Sequence, residues 1–195
     1  MGVNTGISVA ASLPMLGGGM SFAPLTTALP VDASTPLAAA YKKLGPISRE
    51  GVRPARTTNT EKIPEWDGST LVSLVTETGR AFEVTMYGVY DSDVNLYLFG
   101  ANATITPATA SAGKKISVLD KGTKPDNAVI VFDMKHSNEK GKHRAIIPEA
   151  DAVITAENPW TATGLKAYTL TIEAIKDSSG VRVYEYFDDG TFLAA

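Results

Sequence analysis

Arg80-Ala81-Phe82-Glu83-Val84-Thr85-Met86-Tyr87 is the stretch that decides the fold class. Phe82, Val84 and Met86 alternate with Glu83, Thr85 and Tyr87. Successive side chains of an extended chain point to opposite faces, so this alternation marks a strand with one face on a core and one in water. Upstream, residues 71–76 form a second strand candidate, and Glu77-Thr78-Gly79 between the two reads as a short glycine-containing loop. The pair is expected to form a hairpin.

Strand signals separated by turn residues continue downstream, as in an all-β sandwich or barrel. Residues 115–119 and 127–134 are two candidates, the second with Ile130, Phe132 and Met134 on one side. Residues 142–147 and 152–156 are shorter ones flanking Pro148, which lacks a ladder donor and restricts that point to an edge, a bend or a connection. Residues 167–175 place Tyr168, Leu170 and Ile172 opposite Thr169, Thr171 and Glu173, and residues 181–187 follow after Asp177-Ser178-Ser179-Gly180, which reads as a second hairpin. A helix is expected over 92–99, capped by Asp91 and ended by Gly100. The expected fold is therefore mainly β, a sandwich or barrel over residues 41–195 with one short flanking α-helix.

Residues 1–40 differ in composition. They contain no Lys or Arg, run Gly17-Gly18-Gly19, and carry Pro24, Pro30 and Pro36. Periodicity is poor there, so the segment is expected as an extended N-terminal arm rather than a folding unit. Its apolar residues, among them Leu16, Phe22, Leu25 and Leu29, are too many for a solvated tail, which favours an arm that orders on assembly over plain disorder.

Composition narrows the function. The chain has 195 residues and no cysteine, so disulfides, Cys-based zinc sites, iron–sulfur clusters and Cys nucleophiles are excluded. At this length about 70% of the unfolded surface is buried on folding, enough for a core without such staples. A net charge of −3 argues against a generic nucleic-acid binder, which needs a Lys and Arg excess. No apolar run reaches the roughly 20 residues of a membrane span, and no basic segment opens a secretory leader, so an intracellular product is expected. The charge is nevertheless blocked. Residues 41–64 hold six bases and two acids, residues 65–93 one and six, residues 114–144 eight and four, and residues 149–195 three and eight. Such a mosaic suits self-complementary surfaces, unless folding interleaves the blocks.

Reactive groups are sparse. The two histidines, His136 and His143, bracket a hairpin tip with Glu139 and flanking lysines, a spacing that fits no familiar zinc motif. There is no nucleophile elbow, phosphate loop or dinucleotide fingerprint. Asp91 and Asp93 are explained by a helix N-terminus and Asp188 and Asp189 by a turn before Gly190. Trp66 and Trp160 are the only large candidates for an exposed aromatic platform. The expectation is a non-enzymatic β protein without cofactor or metal.

One longer pattern is more specific: Lys43-Leu44-Gly45-Pro46-Ile47-Ser48-Arg49-Glu50-Gly51-Val52, then Thr60-Glu61-Lys62-Ile63-Pro64-Glu65-Trp66-Asp67-Gly68, then residues 71–76, then Arg80-Ala81-Phe82-Glu83-Val84-Thr85, and finally Leu96-Tyr97-Leu98-Phe99-Gly100. This order resembles the major tail tube proteins of long-tailed, siphovirus-type phages, particularly those of actinobacterial hosts. It covers about half the chain. Pro46 stands where the family usually has an aromatic, Arg49 where an acid is common, and the arm is longer than in many members.

The resemblance implies a β-sandwich with a flanking helix, hexameric rings stacked into a hollow virion tube, an inter-subunit sheet lining the lumen, and an arm and extended loop reaching neighbouring rings. Implied partners are further copies of the chain, the tape measure protein, the tail terminator and tail tip or baseplate proteins, with DNA passing through unbound. Passage favours acidic or neutral walls, because basic ones hold phosphates by counterion release. Glu83 and Glu173, in the acidic blocks, are the expected lumen-facing residues. The competing readings are another β-sandwich virion component, such as a tail terminator, capsid decoration or baseplate hub protein, and a carbohydrate-binding module or hydrolase.

Overall fold

Antiparallel ladders dominate the computed structural model, which describes residues 13–14, 19–135 and 141–191. In chain order the elements are β1 (Leu13–Pro14), β2 (Met20–Ala23), β3 (Lys42–Lys43), β4 (Ile47–Pro64), β5 (Thr70–Met86), helix α1 (Ser92–Phe99), a 3-10 turn (Gly100–Asn102), β6 (Ala103–Thr106), β7 (Lys115–Val118), β8 (Ala128–Lys135), β9 (Lys142–Glu157), β10 (Tyr168–Ile175) and β11 (Tyr184–Asp188). One sheet runs β3-β2-β8-β9-β10-β5-β4, with β1 added to β8 and β11 to β9, while β6 and β7 form a separate ribbon. The chain is mainly β, with a single short α-helix among the described residues.

That sheet is curled. In a flat sheet β8 and β5, with β9 and β10 between them, would lie about 14 Å apart. The rings of Phe82 on β5 and Phe132 on β8 nevertheless meet at 5.7 Å. One continuous sheet thus supplies both walls of the core, and α1 closes it. Val94 and Leu98 are fully buried on the helix, Tyr97 packs on Phe22 at 4.7 Å, and Phe99 meets Tyr168 edge-on at 5.8 Å. The helix has the expected bounds: the Asp91 carboxylate accepts the Asp93 N–H at 2.9 Å, and Gly100 ends it with φ 51°. Among the described residues no helix is long and apolar enough to cross a membrane.

Ala128-Val129-Ile130-Val131-Phe132 on β8 is apolar without alternation, the signature of a strand buried on both faces. Ile130 and Phe132 face the main core. Val129 and Val131 face a second cluster with Ala23, Tyr41 and Ile146, against which Leu29, Leu37, Tyr184 and Tyr186 pack. The second cluster explains why residues 20–41 join the body. Met20 and Ala23 are fully buried, and β2 is an inner strand between β3 and β8, within the segment whose composition reads as an arm.

Three strand expectations are corrected. Residues 71–76 and 80–87 are not partners across Glu77-Thr78-Gly79. Both belong to β5, which pairs along nearly its whole length with β4. The true turn is at Glu65–Ser69, where Gly68 adopts φ +86° and the Asp67 carboxylate accepts the Ser69 N–H at 2.8 Å. Residues 142–147 and 152–156 are one strand, β9, continuous through Pro148. Opposite Ala128 to Ile130 the β9 register slips by one residue, so the proline sits at a bulge that asks for no ladder donor. At this bulge β9 changes partners, pairing with β11 up to Ile146 and with β10 from Glu149. The strand after residue 180 therefore pairs with β9, not with β10 as a hairpin would.

Candidate assembly interface

The last ladder pair joining β5 to β10 is Ala81 with Glu173; beyond it β4 and β5 pair only with each other, out to Pro64 and Thr70. About ten residues per strand, at 3.4 Å each, make a two-stranded ribbon roughly 30 Å long. Every residue from 53 to 78 is exposed. The root is tied down: Arg182 donates to the Thr78 carbonyl at 2.8 Å and to the Ala174 carbonyl at 2.7 Å, and Arg80 pairs with Glu185.

Along β5 the ribbon reads Leu71-Val72-Ser73-Leu74-Val75, apolar on both faces. Register sets Ile63 opposite Val72 and Glu61 opposite Leu74, so Ile63, Val72 and Leu74 share one face. Leu71 and Val75 take the other, with Thr60 and Lys62. Leu71 is 62% exposed and Val75 59%. Such a run is normally buried on both sides, and a lone two-stranded hairpin is marginal in water. Both faces of the outer ribbon thus expose apolar side chains, Ile63, Val72 and Leu74 on one and Leu71 and Val75 on the other. At its tip Trp66 is fully solvent-exposed. Glu65 N–H donates to the Ser69 carbonyl at 2.7 Å and Gly68 N–H to the Glu65 carbonyl at 3.0 Å, so the turn is a defined structure. Ser69 hydrogen bonds hold the Asp67 carboxyl below its ordinary range.

The second surface is the outer face of the four-strand segment β4-β5-β10-β9. Register lines up Arg53, Glu83, Thr171 and Val153 in one row and Ala55, Ala81, Glu173 and Asp151 in the next. Glu83 and Glu173 therefore lie on one face, and both are exposed. Between them run threonines: Thr85 and Thr169 hydroxyls meet at 2.9 Å, and Thr171 donates to Thr155 at 3.4 Å. Arg53 lies 2.6 Å from Glu50 and 3.8 Å from Glu83, and Lys124 pairs with Asp151 at 2.7 Å. This face is largely polar, with Arg53 beside Glu83 and Lys124 beside Asp151.

The same segment has two open edges. β4 ends the sheet, and β8 pairs with β9 only as far as Ala150, so residues 151–157 have no strand on their second side among the described residues. With four antiparallel strands between them, the two edges are antiparallel to one another.

Of the expected arm residues, Leu16 lies outside the described residues. Phe22 is partly buried against Tyr97 of its own chain, Leu29 packs on the second cluster, and Leu25 is 48% exposed. The structure spends Phe22 and Leu29 on the protomer's own packing, on opposite faces of the sheet. The 24–41 segment is held by Arg144 on β9, whose buried guanidinium donates to Asp133 at 2.5 Å and to the Asp32 and Thr35 carbonyls at 3.0 and 2.8 Å. In the sequence only its position next to the apolar run Ala145-Ile146-Ile147 marks this residue for burial.

His136 and Glu139 lie outside the described residues. His143 stacks on Phe187 at 4.2 Å with Nε2 3.9 Å from Glu185, and burial pushes its pKa below the ordinary value against the pull of that carboxylate. Asp188 accepts the Ser34 hydroxyl and the Gly190 N–H, and Asp189 accepts the Thr191 N–H, the work of turn carboxylates. Among the described residues no group of three or more His, Asp or Glu is placed to hold a metal.

No protein-family model matches the chain, and no curated protein matches it in sequence. Among solved structures it is similar to the tube-terminating cap of the anti-feeding prophage, with a TM-score of 0.48 and 8% identity over 95% of this chain and 99% of that one.

Proposed function

We propose that this chain is a structural, non-catalytic subunit of a phage-type tail, closing into rings that stack as the hollow tail tube. The observation that carries the reading is the ribbon of residues 53–78, exposed throughout, whose outer part carries Ile63, Leu71, Val72, Leu74 and Val75 on its two faces. A protomer gains nothing by holding it in water, whereas a neighbouring ring covers it. Two further features support the reading. The open edges of β4 and β9 close a sheet around a ring, which removes the aggregation hazard of long unpaired edges. The face they would turn to the lumen carries Glu83, Glu173, Asp151 and a threonine ladder, with Arg53 and Lys124 held by its own acids, a near-neutral wall that lets DNA slide past without counterion release. The sequence pattern across residues 43–100 points the same way. The partners under this reading are the chain itself, a tape measure protein, a terminator and tip or baseplate proteins, and its place is the virion tail.

Negative-stain electron microscopy of the purified chain, concentrated at moderate salt, tests this. Long hollow tubes of constant width are expected. Single rings that cap preformed tails without elongating would make the chain a terminator instead. Particles that neither ring nor extend tail tips would refute the assembly role.

A further inference from the structure

A cleft of about 650 Å3 opens beside α1, its lining including Tyr90, Phe99, Lys114, Trp160, Lys166 and Tyr168. Phe99 and Tyr168 are buried and form its apolar floor. Tyr90 and Trp160 are 89% and 80% exposed, two large aromatics left in water around a concave site. The Lys166 ammonium sits 5.0 Å from the Trp160 ring and 5.2 Å from that of Tyr168. Two acids also reach the lining, but each is engaged: Asp120 accepts the Gly122 N–H, and Glu157 lies 3.9 Å from Lys166. Lys114 contacts the neutral Ser92 hydroxyl at 3.0 Å.

The ribbon tip has complementary chemistry. Trp66 is fully exposed and flanked by Glu65 and Asp67 at the end of an arm roughly 30 Å from its own body. An aromatic knob matches an aromatic cleft of the usual size for a binding pocket, and of the four charged groups in the lining Lys114, held only by a neutral hydroxyl, is left to meet the Glu65 carboxylate. We infer that Trp66 of one copy seats in the Tyr90–Trp160 cleft of the next, with Glu65 beside Lys114. The inference rests on the self-assembly reading and names its contact. With one tip and one cleft per chain the contact is heterologous, each copy giving to one neighbour and receiving from another, so it propagates.

The absence of cysteine makes the test clean. A full-length chain carrying Thr70→Cys beside the tip and Thr161→Cys beside the cleft, both exposed and outside the contact itself, assembled and treated with a short thiol cross-linker, is expected to give a ladder of dimers, trimers and larger species. Each single variant gives dimers at most. Assembled particles without a ladder overturn the cleft as the seat and leave the assembly reading standing. An unsubstituted chain that never assembles overturns both. As an independent readout, Trp160→Phe leaves Trp66 as the sole tryptophan. Its emission should move to the blue on assembly, and unshifted emission from assembled particles overturns the inference. Trp66→Ala should raise the concentration needed for assembly about tenfold or more, with the chain's own unfolding midpoint unchanged.

Discussion

Replacing Leu71, Leu74 and Val75 together by threonine separates ribbon burial in an assembly from ribbon stability in the protomer. These side chains are 62%, 47% and 59% exposed, so roughly half of each remains to be covered by a neighbour. Full burial of a Leu or Val side chain is worth about 1.5–3 kcal/mol, and half of that is about 1 kcal/mol for each. Threonine keeps the preference for an extended strand, so the ribbon itself changes little. In the free chain the triple variant should stay within about 0.5 kcal/mol per site of the parent, as surface substitutions do. In the assembly it should lose about 3 kcal/mol, which is on the order of 100-fold in association. Sedimentation velocity across a concentration series measures the second quantity and urea unfolding of dilute chain the first. Assembly at an unchanged concentration refutes covered ribbon faces. Equal losses in both assays refute the claim that the ribbon is a free-standing arm.

Arg144→Met should cost about 3–5 kcal/mol in urea unfolding, because it strands the Asp133 carboxylate and leaves the Asp32 and Thr35 carbonyls without their donor; protease should then cut within residues 24–41, and adding Asp133→Leu should recover only the part due to the carboxylate. Burial holds the pKa of His143 below its ordinary 6.5, so the unfolded chain takes up that proton first. Stability is accordingly full above about pH 6.5 and falls as the pH drops from there toward the folded value, with Glu185, itself paired to Arg80, the charged group beside it. His143→Gln should flatten that part of a stability–pH curve, and an unchanged slope would assign it elsewhere. In assembled tubes, Glu83→Lys with Glu173→Lys should retain short DNA at low salt and release it at high salt, whereas the parent retains none; retention equal to the parent's would place these residues away from the lumen.

Local physics makes much of the fold legible in the sequence. The 92–99 helix follows from Asp91 offering a carboxylate to bare N–H groups and from Gly100 accepting a positive φ, both properties of single residues. Residues 80–87 announce a half-buried strand because Phe82, Val84 and Met86 share one face whatever lies beyond them. Glu83 and Glu173 could be placed on the solvent side of their strands for the same reason, though not on one shared face, which needed the Thr171–Glu83 register. What the chain alone could not reveal depends on partners far away in sequence. Glu77-Thr78-Gly79 has the composition of a turn, yet it runs extended because β4 pairs across it, and the real turn lies where Gly68 meets the Asp67 carboxylate. Pro148 reads as a break, but a bulge against β8 absorbs its missing donor. Met20–Ala23 sits in a segment too poor in pattern to declare itself, and becomes an inner strand by pairing with the edge of β8, while Leu29, Leu37 and Tyr41 after it cover the second face of that strand. Composition and periodicity fixed which residues want to leave water; only the curled sheet decided which of them find cover in their own chain and which, along the ribbon, are left for another.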